Sequence, residues 1–332
     1  MIFRRLALLP VILLVIYTVT LTLVWLVPGD PLEKSEGRRP PAEVIAAMQR
    51  QYNLDSFPAF YGSYLANATG WSWLRDTLTG DARLQAEAAV AAGRAPPVRR
   101  VFDLGPSFQY DDRRVNEIIA SGLPVSMTIG AAAIVLALFI GLAAGLVAAA
   151  RPGSWLDVAS LAVSLIGISL PSFVIGTAVL LVFPVALGWG RIGAWGGITD
   201  VLWPALTLSL PYAAYIARLT RMGMLEVLSS DYIRTARAKG AGEARVLLRH
   251  ALKNAFLPVL SYLGPAAAGA MTGSFVVEKV FNVPGLGQHF VNAVLNADRF
   301  LIIGVVLVYA TLLILFNLAV DVLYRWADPR IE

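Results

Sequence analysis

Six stretches of the chain carry no charged side chain: residues 6–29, 118–150, 158–190, 201–217, 254–277 and 300–320. A helix rises about 1.5 Å per residue, and about 17 to 25 apolar residues suffice to cross a bilayer core. The pattern therefore predicts six membrane-spanning helices. Arg4 and Arg5 precede the first, which resembles a secretion signal at first sight. Its apolar run is too long for that, and no small-x-small cleavage pattern follows, so it is expected to stay as an anchor.

Two further uncharged windows are not expected to span. Ser56–Leu74 has eight Ser, Pro, Gly, Asn or Thr residues among its nineteen, and its aromatics (Phe57, Phe60, Tyr61, Tyr64, Trp71, Trp73) suit an interfacial segment. Val280–Ala297 contains Pro284, Gly285, Gly287, Gln288, His289 and three Asn, which lipid would leave unsatisfied. Between the first two spans, residues 28–119 are long and nearly neutral. Val44, Ile45, Met48 and Tyr52 predict a helix over Pro41–Leu54. The Ala-rich run 81–97 predicts another, ending in a linker at Ala95-Pro96-Pro97.

The densest polar signal lies between spans four and five. Leu225, Leu228, Tyr232 and Ala236 recur at helical spacing, and Gly240 then stops that helix, since glycine accepts the left-handed conformation cheaply. Ala244, Leu247, Leu248, Ala251 and Leu252 predict the apolar stripe of a second helix, with Arg245, Arg249 and Lys253 on another face. The expected product is a rigid helix-Gly-helix elbow. Residues 218–253 hold eight Lys/Arg (Arg218, Arg221, Arg234, Arg237, Lys239, Arg245, Arg249, Lys253) against Glu226, Asp231 and Glu243. With six spans and an internal N-terminus, inner segments hold thirteen Lys/Arg and the two short outer loops three, as the positive-inside rule requires.

Composition agrees with a polytopic membrane protein. The mean hydropathy is +0.67, with 57% hydrophobic and 15% charged residues. The net charge of +5 would suit nucleic acid, but the cations sit beside apolar spans, so topology and lipid account for them. Without cysteine there are no disulfides or thiolate metal sites. No G-x-x-x-x-G-K-[ST] exists, which excludes a P-loop ATPase within the chain, and Gly240-Ala241-Gly242 lacks the strand and third glycine of a dinucleotide site. His250 and His289 are expected on opposite sides of the membrane, too far apart to share a metal. Asp157, Glu278 and Asp321 lie at span ends, so no buried relay speaks for a proton- or ion-coupled carrier. The spans offer prolines and hydroxyls instead. Ser169, Pro171, Ser172, Thr207, Ser209, Pro211, Ser261, Thr272 and Ser274 could line a path for a polar solute, or simply pack between helices.

Ala236, Gly240, Leu257 and Pro258 stand where the cytoplasmic signature loop of binding-protein-dependent ABC importer permeases has its Ala-rich turn, its Gly and its Leu-Pro. The chain resembles the dipeptide/oligopeptide branch of that family. Arg234 replaces the Glu that opens the signature in sugar permeases, as that branch commonly allows. Val27-Pro28-Gly29-Asp30-Pro31, the run Leu202 to Leu208, Val283-Pro284-Gly285-Leu286-Gly287 and Ala327-Asp328-Pro329-Arg330 are similar to that branch in the same order, whereas residues 75–115 look like an insertion.

The resemblance implies an all-α polytopic membrane protein with six transmembrane helices and a sizeable external loop domain. Its parts would be an N-terminal span (1–27), an external cap (28–119), a five-helix permease core (120–326) and a cytoplasmic tail (327–332), with both termini inside a bacterial or archaeal inner membrane. It implies a transport subunit without cofactor or catalytic residue, ATP and Mg being held by partners. Those partners would be a homologous second permease, one or two ABC ATPases and an external solute-binding protein. The ATPase would receive the elbow at 223–253, through Arg234, Ala236, Lys239, Gly240, Glu243, Arg245, Arg249 and Lys253. The rivals are a transporter or channel that works alone, which the lack of intramembrane charges disfavours, and a membrane anchor, which gives the basic elbow no purpose.

Overall fold

The computed structural model describes residues 2–27, 41–91, 99–110, 113–272 and 274–327. Residues 28–31 of the motif that starts at Val27, the 95–97 linker and the tail beyond Ala327 lie outside the described residues. Helices α1 (Ile2–Leu26), α2 (Ala42–Tyr52), α3 (Phe57–Ala68), α4 (Trp71–Leu78), α5 (Asp81–Ala91) and α6 (Val115–Ala150) come first. Then follow α7 (Trp155–Ser169), α8 (Ser172–Leu180) with a π turn over Leu181–Ala186, and the long α9 (Ile198–Leu228). The elbow comprises α10 (Asp231–Ala238), α11 (Glu243–Arg245), a π turn over Val246–Ala251 and α12 (Leu252–Ala255). Last are α13 (Leu257–Met271), α14 (Phe275–Phe281), α15 (Leu286–Leu295) and α16 (Arg299–Ala327).

Among the described residues three helices are long and apolar enough to cross a membrane, Ala7–Leu26, Val115–Ala150 and Arg299–Leu323, or four if the bent pair α7–α8 is one span. The interval expected as one span at 158–190 is two helical segments bent by 104°. Pro171 causes the break, because it forces Leu170 into an extended conformation (φ −77°, ψ 131°) that no α-helix can continue. The interval 201–217 lies inside α9, where Trp203, Pro204, Pro211, Tyr212 and Tyr215 dilute its apolar character. The interval 254–277 is also divided, since α13 stops at Met271 and Ser274 starts α14 by accepting the Val277 N–H. The 256–257 junction is bridged. There Phe256 donates to Leu252 and Leu260 to Phe256, carrying the helical ladder past Pro258.

The described chain forms two compact units. One comprises residues 1–11, 121–288 and 309–332. In it α6 meets α9 at backbone distance: a Cβ on Gly141 would lie 2.7 Å from Ala213 O, and one on Gly145 2.6 Å from Ala217 O. That is small-xxx-small packing, in which missing side chains let two helices approach. The other unit comprises residues 12–120 and 289–308, and its core is aromatic. Phe300 is ringed by Phe60 at 5.2 Å, Phe108 at 5.3 Å, Tyr52 at 5.5 Å and Tyr64 at 5.7 Å between centroids. The segment Ser56–Leu74 contributes to this core with part of its aromatic residues. Phe60 and Tyr64 are fully buried because α3 turns them inward, while α4 leaves Trp71, Leu74 and Leu78 exposed on one face. The helices expected over 41–54 and 81–97 are present as α2 and α5.

Candidate functional site

The elbow is held by its own small core and by two polar braces. Met224, Ile233, Val246, Ala251 and Ala255 are buried together with Ala149 of α6. Gly223 permits this packing, since a Cβ there would stand 2.8 Å from Ala255 O. Gly240 closes α10 with φ +82°: its N–H donates to Arg237 O at 2.9 Å and the Ala241 N–H to Ala236 O at 3.2 Å. These two bonds are the Schellman arrangement, and they require the left-handed residue. Across the turn Arg237 grips Glu243 with two bonds of 2.8 and 3.2 Å, and Asn254 donates to the Tyr232 hydroxyl at 2.8 Å.

The expected apolar stripe of the second helix is corrected in part: Leu247, Ala251 and Leu252 pack in the elbow core as expected, whereas Ala244 and Leu248 are exposed and Val246 and Ala255 are buried in their stead. The physical reason is the π turn at Val246–Ala251, whose wider winding rotates the following face away from a strict α pattern. Arg234, Lys239, Arg245, Arg249 and Lys253 are exposed, Ala236 is half-buried, and Glu243 is exposed but engaged by Arg237. Tyr232 and Leu248 expose apolar surface among these cations. The elbow thus presents a braced, cationic surface with apolar contacts that could be desolvated by a partner.

Below the elbow core, Arg221 of α9 makes a two-pronged bond to Asp157 in the first turn of α7, Nε–Oδ1 2.5 Å and Nη2–Oδ2 2.8 Å. The Gly153 N–H also donates to Oδ2 at 2.9 Å. The Arg221 guanidinium, and after it the Gly153 amide, hold the Asp157 carboxyl down at about 2. The folded-state value is depressed, so the pair's contribution is complete above the free carboxylate range and is lost only as pH falls towards 2.

The suggested path residues do not behave as one set. Ser209 bonds Leu206 O at 2.7 Å, Ser261 bonds Leu257 O at 3.2 Å and Thr272 bonds Gly269 O at 3.2 Å, each within its own helix. Ser274 caps α14. Thr207 is buried, and its hydroxyl has no hydrogen-bond partner among the described residues. Ser169 and Pro171 are exposed at the α7–α8 break, with Ser172 and Pro211 half-buried.

A second site escaped sequence reasoning. Glu278 of α14 is 1% exposed, and no cation among the described residues pairs with it. Its partners are hydrogen-bond donors. Ser126 of α6 donates to Oε1 at 2.7 Å and itself accepts the Leu286 N–H at 2.8 Å, while the Gly287 and Gln288 N–H groups donate to the carboxylate. Leu286, Gly287 and Gln288 open α15, so a carboxylate and a hydroxyl from two other helices satisfy the free amides and the positive end of that helix. Gly285 and Gly287 make room: a Cβ at Gly285 would lie 2.3 Å from Glu278 Cδ, and one at Gly287 3.0 Å from Oε2. The signal in the sequence was a carboxylate shortly before a Pro-Gly-Leu-Gly run. Of the two histidines, His289 bonds the Tyr110 hydroxyl at 2.9 Å, and His250 is half-buried in the elbow.

Comparison with known proteins gives this geometry its family. Residues 141–332 match the family model of binding-protein-dependent transport system inner membrane components. Over 333 residues the chain is 39% identical to an oligopeptide transport system permease protein, OppB, of Haemophilus influenzae, covering 100% of this chain and 98% of that one. It is 40% identical to the Escherichia coli K12 OppB (96% and 95% covered) and 34% identical to a dipeptide transport system permease protein, DppB, of Bacillus subtilis (96% and 94%). In fold it is similar to a chain from inward-facing conformations of the MetNI methionine ABC transporter, with a TM-score of 0.50, 21% identity, and 64% of this chain and 97% of that one covered. The chain belongs to the family of binding-protein-dependent transport system inner membrane components.

Proposed function

We propose that this chain is the transmembrane permease subunit of an ATP-driven importer for peptides or peptide-like solutes, forming half of the translocation pathway. The observation that carries the reading is its likeness to oligopeptide and dipeptide permeases from end to end, including the region before the family model begins. In this reading it sits in a bacterial inner membrane with six spans, residues 28–119 outside and both termini inside. A homologous permease completes the pathway, a solute-binding protein delivers the solute, and one or two ATPase chains hold ATP and Mg. The braced cationic surface of the elbow supports its role as the part that enters an ATPase groove, through Arg234, Lys239, Arg245, Arg249 and Lys253. Closure of the nucleotide sandwich then shifts the spans and alternates access. Of the hydroxyl and proline positions, Ser169, Pro171 and Ser172 are the best candidates for the path, because they occupy the break between two apolar helices, where Ser169 and Pro171 are exposed.

Proteoliposomes holding the chain with its co-purified partners are expected to accumulate a labelled oligopeptide only when ATP and the binding protein are both supplied. Accumulation that persists without hydrolysable ATP would sink the reading in favour of a carrier working alone. Topology has its own test in this cysteine-free chain. A Cys at exposed Glu87 is expected to react with an impermeant thiol reagent in intact cells, and one at exposed Ser229 only after permeabilisation. Labelling of position 229 from outside overturns the six-span arrangement.

A further inference from the structure

The first unit carries a buried polar link between the elbow's supporting helix and the bent pair α7–α8. Arg221 lies one turn before Met224, which is buried in the elbow core, and two residues before Gly223, where α9 touches α12. A displacement of the elbow therefore bears directly on this part of α9. Asp157 lies on the third residue of α7, after the cap Ser154, and its carboxylate also faces the positive end of that helix. Between them is a fork-on-fork contact, with both side chains largely buried: 22% of Arg221 and 3% of Asp157 remain exposed. Apolar packing between α7 and α9 can slide, because it is not directional. A guanidinium and a carboxylate joined by two parallel bonds fix distance and orientation together.

We propose that Arg221 and Asp157 form a strut that transmits elbow displacement to α7 and through it to the break at Ser169–Pro171. They are positioning residues that act through α7. The helix between the strut and the break runs without interruption from Trp155 to Ser169, a rod of about 20 Å at the α-helical rise. Pulled or pushed at its first turn, that rod moves the exposed break as a unit. The proposal rests on the elbow being the coupling part.

The test uses the whole complex, reconstituted with its partners, and reads peptide uptake per ATP hydrolysed. Arg221→Lys keeps the charge and loses the fork. Asp157→Asn keeps the shape and loses the charge. Each is expected to assemble in normal amount and to hydrolyse ATP, while uptake per ATP falls at least about fivefold, the lower end of typical coupling between distant sites. Because the two act through one another, the double variant is expected to be no worse than either single. Wild-type uptake per ATP in the assembled single variants overturns the proposal. So does a fall of uptake and hydrolysis in parallel with lost assembly, which would make the pair a folding element only, and so does additive loss in the double variant. Gly240→Val in the same assay judges the elbow reading separately.

Discussion

Gly240→Val is expected to abolish ATP-driven uptake while leaving the chain inserted in the membrane. The glycine sits at φ +82°, and nothing among the described residues lies within 4 Å of the place where a Cβ would stand. The penalty is therefore conformational, about 1–3 kcal/mol for a β-branched residue forced into that region. The chain escapes this cost by unwinding the Schellman turn, and both bonds at Arg237 O and Ala236 O go with it. The Arg237–Glu243 brace across the turn then loses its geometry, and the two elbow helices no longer hold one angle. Gly240→Asn, which tolerates the left-handed region, should retain most of the uptake. Uptake per assembled complex measured for both variants decides the matter: normal uptake with valine removes the elbow from the coupling mechanism.

Gly285→Val should have the largest effect on stability. Its side chain would occupy the space of the Glu278 carboxylate, with the first added carbon 2.3 Å from Cδ. Either the loop retreats or the carboxylate leaves its donors, exposing the first amides of α15 without a partner. Overpacking and unmatched buried polar groups together cost on the order of 4 kcal/mol. The expected result is a lower thermal midpoint of the purified chain and little assembled permease. Glu278→Gln, which keeps shape and one acceptor oxygen, should fall between that variant and the natural chain. A Gly285→Val chain that melts with the natural one would show that the loop is not pinned by Glu278.

Hydropathy made much of this legible. The long apolar helices at 7–26, 115–150 and 299–323 follow directly from runs without charge. So do the elbow's two-part form and the left-handed Gly240, because a basic island with one glycine at the end of a periodic stretch has few other solutions. Periodicity failed where the backbone departs from α geometry. The π turn at 246–251 moved the buried face from Ala244 and Leu248 to Val246 and Ala255, and nothing in residue spacing announces such a turn. The 104° break needed Pro171 to be read as a stop within an otherwise unbroken apolar run. Glu278, Ser126 and the Asp157–Arg221 pair were invisible for another reason. Their partners lie far along the chain, 152 residues apart for Ser126 and Glu278 and 64 for Asp157 and Arg221, and no local pattern records a contact at that separation.

The arrangement at Glu278 also constrains the order in which the chain can mature. The charge that satisfies the start of α15 belongs to α14, and the hydroxyl that shares the task belongs to α6, 160 residues before Leu286. As the chain emerges from synthesis, α6 is long complete when α14 appears, and only then can the carboxylate leave water without being stranded. Sealing of this corner must therefore come late, after the elbow, whose braces and core need no residue beyond Ala255.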